Sequence, residues 1–167
     1  MAEKEEVFST KMKYNGIFSL RDFYQFCYDW LRDETNLLLS EKKYTEKIDG
    51  DEKKLDIEWF GFRKMTDYFK FEVKVKYRIV KLKEVEIPQG SKKIKTNHGE
   101  VEMKISGILV RDYDGKFEKD AFRKFLRAIY EKWVIKPRID YFEEKLIGDL
   151  DEYLSQAKAY LALEGKR

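Results

Sequence analysis

The chain has 167 residues, of which 40% are charged and 16% aromatic, and its formal net charge is +3. That length fits one domain able to bury on the order of 70% of its extended-chain surface, and so many rings argue against disorder. A single cysteine excludes an internal disulfide framework, and no apolar run reaches the roughly 18 residues that a membrane span needs.

Met1 to Glu6 carries no apolar signal core and is expected to fray. Together with the lone Cys27, this predicts a soluble, cytoplasmic protein of one domain over residues 1–167. Phe8, Thr10, Met12 and Tyr14 alternate with Ser9, Lys11 and Lys13 before Asn15-Gly16, which reads as a short edge strand ending in a turn. Whether that segment joins the main sheet is left open by the pattern. A helix over about 19–33 comes next, with Ser19 as its N-cap, Phe18 and Phe23 at staple spacing, and Leu20, Phe23, Phe26, Cys27, Trp30 and Leu31 on one stripe.

From Asn36 to Gly115 the pattern predicts an antiparallel meander. Leu37, Leu38, Leu39, Tyr44 and Ile48 lead to a reversal at Asp49-Gly50-Asp51, and Leu55, Ile57 and Trp59 then share one side until Gly61. Phe69, Phe71, Val73, Val75, Tyr77 and Ile79 alternate strictly with Lys70, Glu72, Lys74, Lys76 and Arg78, the period of a strand with one covered face. The phase slips after Ile79, which predicts a bulge. Pro88-Gln89-Gly90 closes the run, residues 91–99 read as a polar, basic connection, and Val101, Met103, Ile105 and Leu109 begin another strand. Gly61 and Gly107 interrupt inward-facing runs, so the sheet is expected to curve.

The last third reads as helical. Phe122, Phe125, Leu126, Ile129, Trp133 and Val134 form a broad apolar stripe among Arg123, Lys124, Arg127 and Lys132. Pro137 must break or restart the helix. Ile139, Phe142, Leu146, Leu150, Tyr153, Ala157 and Tyr160 then approach a heptad seam, widened by Ile147, Leu154 and Leu161. A helix over 137–163 would be about 40 Å long, more than a small sheet is wide, so its end is expected to protrude or to meet a second copy. The fold class is therefore α+β: an N-terminal helix, a curved antiparallel meander of four or five strands, and two C-terminal helices broken at Pro137.

Chemistry is sparse. His98, the one histidine, sits in the turn-like Asn97-His98-Gly99 and lacks the converging ligands that a metal needs. Glu143 with Glu144, and Asp149 with Asp151 and Glu152, are pairs that any highly charged helix produces. Asp112, Asp114 and Gly115 open like a calcium loop, but Phe117 and its successors in the chain do not continue it. No catalytic residue, cofactor or metal is expected.

Binding readings remain. Residues 61–138 hold 21 basic against 11 acidic side chains, which either offsets the acidic ends in space or serves an acidic partner. Lys70, Lys74, Lys76 and Arg78, with Lys92, Lys93 and Lys95 in the turn after them, form the candidate surface for nucleic acid or another polyanion. Leu146, Leu150, Tyr153, Leu154, Ala157, Tyr160 and Leu161 form the candidate interface for a protein partner or a homodimer. A curved sheet under a long helix also allows a hydrophobic-ligand carrier of the helix-grip kind, with a cavity between the two. No membrane partner is expected.

Through Glu41-Lys42-Lys43-Tyr44, Leu55-Asp56-Ile57-Glu58-Trp59 and Lys158-Ala159-Tyr160-Leu161 the chain resembles small archaeal proteins without an assigned activity, a resemblance that implies none here. In the order helix, four-strand meander, long helix it is similar in topology to the N-terminal domain of the Hsp90 co-chaperone activators, with Trp59 near Gly61 as a local echo. Topology implies no function.

Overall fold

The computed structural model describes residues 3–114, 121–134 and 136–165. Its strands are β1 (Glu3–Phe18), β2 (Leu38–Asp49), β3 (Glu52–Lys64), β4 (Phe69–Gln89) and β5 (Lys92–Arg111), and its helices are α1 (Leu20–Thr35), α2 (Ala121–Ile129) and α3 (Lys136–Glu164). A π-helical turn, Tyr130–Val134, joins the last two. The strands form one antiparallel sheet in the order β1-β5-β4-β3-β2, so the chain is α+β with five strands and two C-terminal helices separated beside Pro137. Glycines at positive φ, Gly50 and Gly90, make the two tight reversals.

The period of two decides the layers. Leu55, Ile57, Trp59, Phe69, Phe71, Val73, Val75, Tyr77, Ile79, Val101, Met103, Ile105 and Leu109 are all buried on one face of the sheet. That face receives Phe23, Cys27 and Leu31 from α1 and the seam of α3. Ser19 accepts the Asp22 amide at 3.4 Å, and Asn36 in the left-handed region ends the helix. Phe18 and Phe23 meet edge to face at 6.1 Å, completing the staple.

Four expectations need correction. Asn15-Gly16 does not turn: β1 runs through it, with Gly16 opposite Gly99, and only stops at Phe18. Of residues 1–6, expected to fray, Glu3 to Glu6 are paired with Ile108 to Arg111 in β1, and Met1 and Ala2 lie outside the described residues. Residues 91–99 are not a connection, since β5 starts at Lys92 and His98 lies in register with Lys83 and Ile17. Polar side chains on both sides hid a strand whose outer half is a hairpin arm. The end of α3 does not protrude, because Ala157 and Leu161 are buried and Tyr160 stacks on Phe26 at 4.7 Å. The predicted slip after Ile79 is present as a register shift at Val80/Lys83 with Lys81 at φ 54°. Gly115, expected to end the sheet, lies outside the described residues.

Two contacts lock α3 to the central strands. The Tyr153 hydroxyl donates to Met103 Sδ at 3.3 Å, which leaves its oxygen to accept from Tyr77 at 2.5 Å. Both phenols are buried, and burial pushes both well above their ordinary range. Leu150 enters the space that Gly107 leaves: a Cβ there would stand 2.5 Å from Leu150 Cδ1 and 3.4 Å from Leu146 Cγ and Cδ2.

Replacing Tyr153 with Phe strands the Tyr77 donor and should cost about 1–3 kcal/mol, whereas Tyr77→Phe, which leaves the bond to Met103 intact, should cost less. Urea unfolding of both single variants and the double variant checks this through a non-zero coupling. Gly107→Ala should cost about 1–3 kcal/mol by overpacking. Combined with Leu150→Ala it should cost less than the sum of the two single changes, read from the same unfolding curves.

Candidate functional site

The same parity that builds the core leaves the second face of the sheet clear of the described helices, and its side chains are set by register. Lys74 lies between Phe60 and Ser106, Lys76 between Glu58 and Lys104, and Arg78 between Asp56 and Glu102. Lys70, Lys74, Lys76 and Arg78 therefore share this open face, as their spacing predicted. Lys92, Lys93 and Lys95 do not join them. They pair with Gln89, Pro88 and Glu86 at the tip of the β4–β5 arm, and the 18 positions from Lys70 to Pro88 in register with Lys93 span about 60 Å of strand.

Charge is uneven across the face. Toward the arm it is balanced: Lys76 stands 3.9 Å from Glu58, and Lys11, 2.9 Å from Glu102, holds that exposed carboxyl below its usual range by a hydrogen bond. A cleft of about 530 Å³ opens here among Lys13, Asn15, Arg78, Glu100 and Glu102. Toward the opposite end the face turns basic. Glu72 is buried between Lys4 at 3.0 Å and Lys70 at 3.8 Å.

Three rings accompany that basic end. Phe60 and Phe62 project from β3 with centroids 6.4 Å apart and planes 32° apart. Lys42 lies 5.9 Å from the Phe60 centroid and Lys70 lies 5.7 Å from that of Phe62. Tyr113 is approached by Lys64 at 5.6 Å and Lys70 at 5.9 Å, and its hydroxyl donates to the Thr66 carbonyl at 2.7 Å. Slight burial and then the charges of Asp114 and Asp67 raise its phenol, so an acidic rim bounds the patch on that side. Sequence reasoning missed Phe60, Phe62 and Tyr113 by seeking rings on the lysine strand alone. The signal was present one strand earlier, since Phe60 and Phe62 have the opposite parity to Ile57 and Trp59.

The other proposed surface is elsewhere. Leu146, Leu150, Tyr153, Leu154, Ala157 and Leu161 are buried in the chain's own core and Tyr160 is packed against it, so this seam offers nothing to a partner. The correction has a simple cause: a stripe that suits a second helix suits a sheet equally well. The layer beneath α3, where a carrier's ligand cavity would have to lie, is filled by Leu150 over Gly107 and by Tyr153 between Tyr77 and Met103. The apolar stripe of α2 is the opposite case, because Phe122, Phe125 and Trp133 are 68%, 60% and 73% exposed. Val134's side chain lies outside the described residues.

Among the described residues no group of three or more His, Cys, Asp or Glu is placed to hold a metal ion, and no helix is long and apolar enough to cross a membrane. His98 is exposed on a strand. Glu143 is raised by partial burial and then by Glu5, while Asp149 stands 3.7 Å from Lys145. Cys27 is wholly buried, and burial pushes its thiol up to about 12. No protein-family model matches the chain, and no curated protein is significantly similar to it.

A thiol held neutral stabilises the fold fully below its ordinary value of 9.0, and that contribution drains away as pH rises from there toward about 12. Alkaline titration followed by circular dichroism should show stability falling over this window, with a shallower fall in Cys27→Ala. A thiol reagent at neutral pH should label native protein only at its rate of global opening.

Proposed function

We propose that this protein is a noncatalytic binding module whose open sheet face takes a single-stranded nucleic acid. The observation that carries the reading is the pairing of Phe60 and Phe62 with Lys42, Lys70 and Lys74 on a sheet face that no described helix covers. Sheet-borne aromatics that stack unpaired bases, beside cations that track the phosphates, are how sequence-tolerant single-strand binders work. The 6.4 Å between the two rings is close to twice the 3.4 Å rise of stacked bases. Two successive bases lifted out of stacking therefore match the two rings. The balanced half of the face, with Asp56, Glu58 and Glu102 among its cations, contributes less to polyanion binding and gives the strand one preferred end.

A cytoplasmic place of action accords with a single, buried, unreactive cysteine.

Fluorescence anisotropy with a short labelled oligouridylate and with the matching duplex tests this. The single strand should bind more tightly than the duplex. Phe60→Ala and Phe62→Ala should each weaken it by about 1–3 kcal/mol, and Lys74→Ala should reduce the salt slope by roughly 0.7. Absence of binding at low salt, or affinity indifferent to both phenylalanines, would remove the proposal.

A further inference from the structure

An amphipathic helix on a folded domain ordinarily turns its apolar side inward. α2 does the reverse. At 100° per residue, Phe122, Phe125, Leu126 and Ile129 occupy an arc of about 100°, and Arg127 and Tyr130 lie roughly a third of a turn away. It is this second side that holds the body. Arg127 is largely covered, 2.8 Å from Glu3 on β1 and 3.5 Å from the buried Asp112 after β5, and Tyr130 meets Tyr68 edge to face at 5.9 Å. The apolar side is therefore turned out to solvent by ion pairs that fix the helix from behind. Phe122, Phe125, Leu126 and Ile129 share that arc, and with Trp133 in the following turn they are 40–73% exposed, a concentration of apolar surface rather than scattered single side chains.

Charge narrows what can cover that stripe. Residues 121–138 hold six cationic side chains, Arg123, Lys124, Arg127, Lys132, Lys136 and Arg138, against the single carboxylate of Glu131. Lys124, Lys132, Lys136 and Arg138 are exposed, and Lys132 lies 5.2 Å from the Trp133 ring centroid. A second copy docking through the same stripe about a two-fold axis would bring these cationic flanks together, and like charges oppose that. An anionic lipid surface complements both properties at once. The aromatic and aliphatic side chains enter the boundary below the headgroups while lysines and arginines reach up to the phosphates.

We infer that α2 and the π-helical turn after it are a peripheral docking element for an anionic phospholipid surface, lying in the interface and not crossing it. The surface is separate from the basic ring patch on β3 and β4, so loss of either leaves the other to be measured.

The test uses the full chain and two kinds of vesicle, phosphatidylcholine alone and an equal mixture of phosphatidylcholine and phosphatidylglycerol. Flotation should recover the protein with the mixed vesicles and more than about tenfold less with the neutral ones, and added salt should weaken it. Trp59 is buried and Trp30 is partly buried, so a blue shift in emission on vesicle binding reports Trp133, and Trp133→Phe should abolish the shift. Phe125→Glu combined with Ile129→Glu, both at exposed positions, should abolish flotation with an unchanged circular dichroism spectrum. Three results would overturn the inference: no flotation at low salt, flotation indifferent to the double substitution, or a dimer mass in solution that the same substitution converts to a monomer.

Discussion

The hydroxyl of Tyr153 sets the rest of the molecule. It is buried where water cannot reach it, and it finds an acceptor in Met103 and a donor in Tyr77 on the two central strands. A slip of α3 by one residue would rotate that hydroxyl by about 100° and leave buried polar groups without partners. The same rotational setting drives Leu150 into the space above Gly107 and turns Leu146, Leu154 and Leu161 onto the sheet and its flanking helix. Because α3 is pinned this way, its start beside Pro137 has one position and one direction. The π-helical turn and α2, which come before it in the chain, are held to the body through Tyr130 and Arg127 while their apolar stripe faces out.

Two faces of one sheet thus meet different demands. The covered face is largely hydrocarbon from Leu55 to Leu109, interrupted by the mutually bonded hydroxyls and sulfur of Tyr77, Tyr153 and Met103 and by the Trp59 indole N–H, which is buried without a partner among the described residues. The open face mixes cations, carboxylates and two phenylalanines in register. A chain this short cannot screen every ring from water, and scattered apolar surface is ordinary. Phe60 and Phe62 are not scattered, however, because neighbouring odd positions belong to the core and even positions must then stack side by side. Their proximity is a result of pleat geometry, and the lysines of β2 and β4 flank them for the same reason.

Much of this architecture was written in local patterns. Strict alternation from Phe69 to Ile79 located the central strand and both its faces, and the phase change beyond Ile79 located the bulge at Lys81. Pro137, which lacks an amide donor, located the helix break. The failures have a common origin in long-range pairing. Asn15-Gly16 is a turn by composition, yet Glu100 and Gly99 lie opposite it and extend it into a strand. The polar segment after Gly90 pairs with its own hairpin partner and so needs no apolar face. The heptad-like seam of α3 carried no mark of which surface would receive it, because sheets and helices accept the same side chains. The basic half of the candidate site was legible from the lysine row. Phe60 and Phe62 came from a neighbouring strand and Tyr113 from the turn after β5, which only register could bring alongside.

The pairing of the first strand with the last has a consequence in time. Glu3 lies opposite Arg111 and Phe18 opposite Asn97, with every other strand formed in between. At about 5–20 residues per second of synthesis, β1 leaves the ribosome several seconds before β5, the strand it pairs with, exists. During that interval Phe8, Met12 and Tyr14 are held on an unpaired strand, interleaved with Lys11 and Lys13, whose charges discourage pairing with a strand of another nascent chain. Closure of the sheet is then the late event of folding, governed by the search of a distant segment rather than by helix formation. The lysines between those apolar positions guard the chain before it is a protein, and after closure the same side chains stand on the sheet's outer surface.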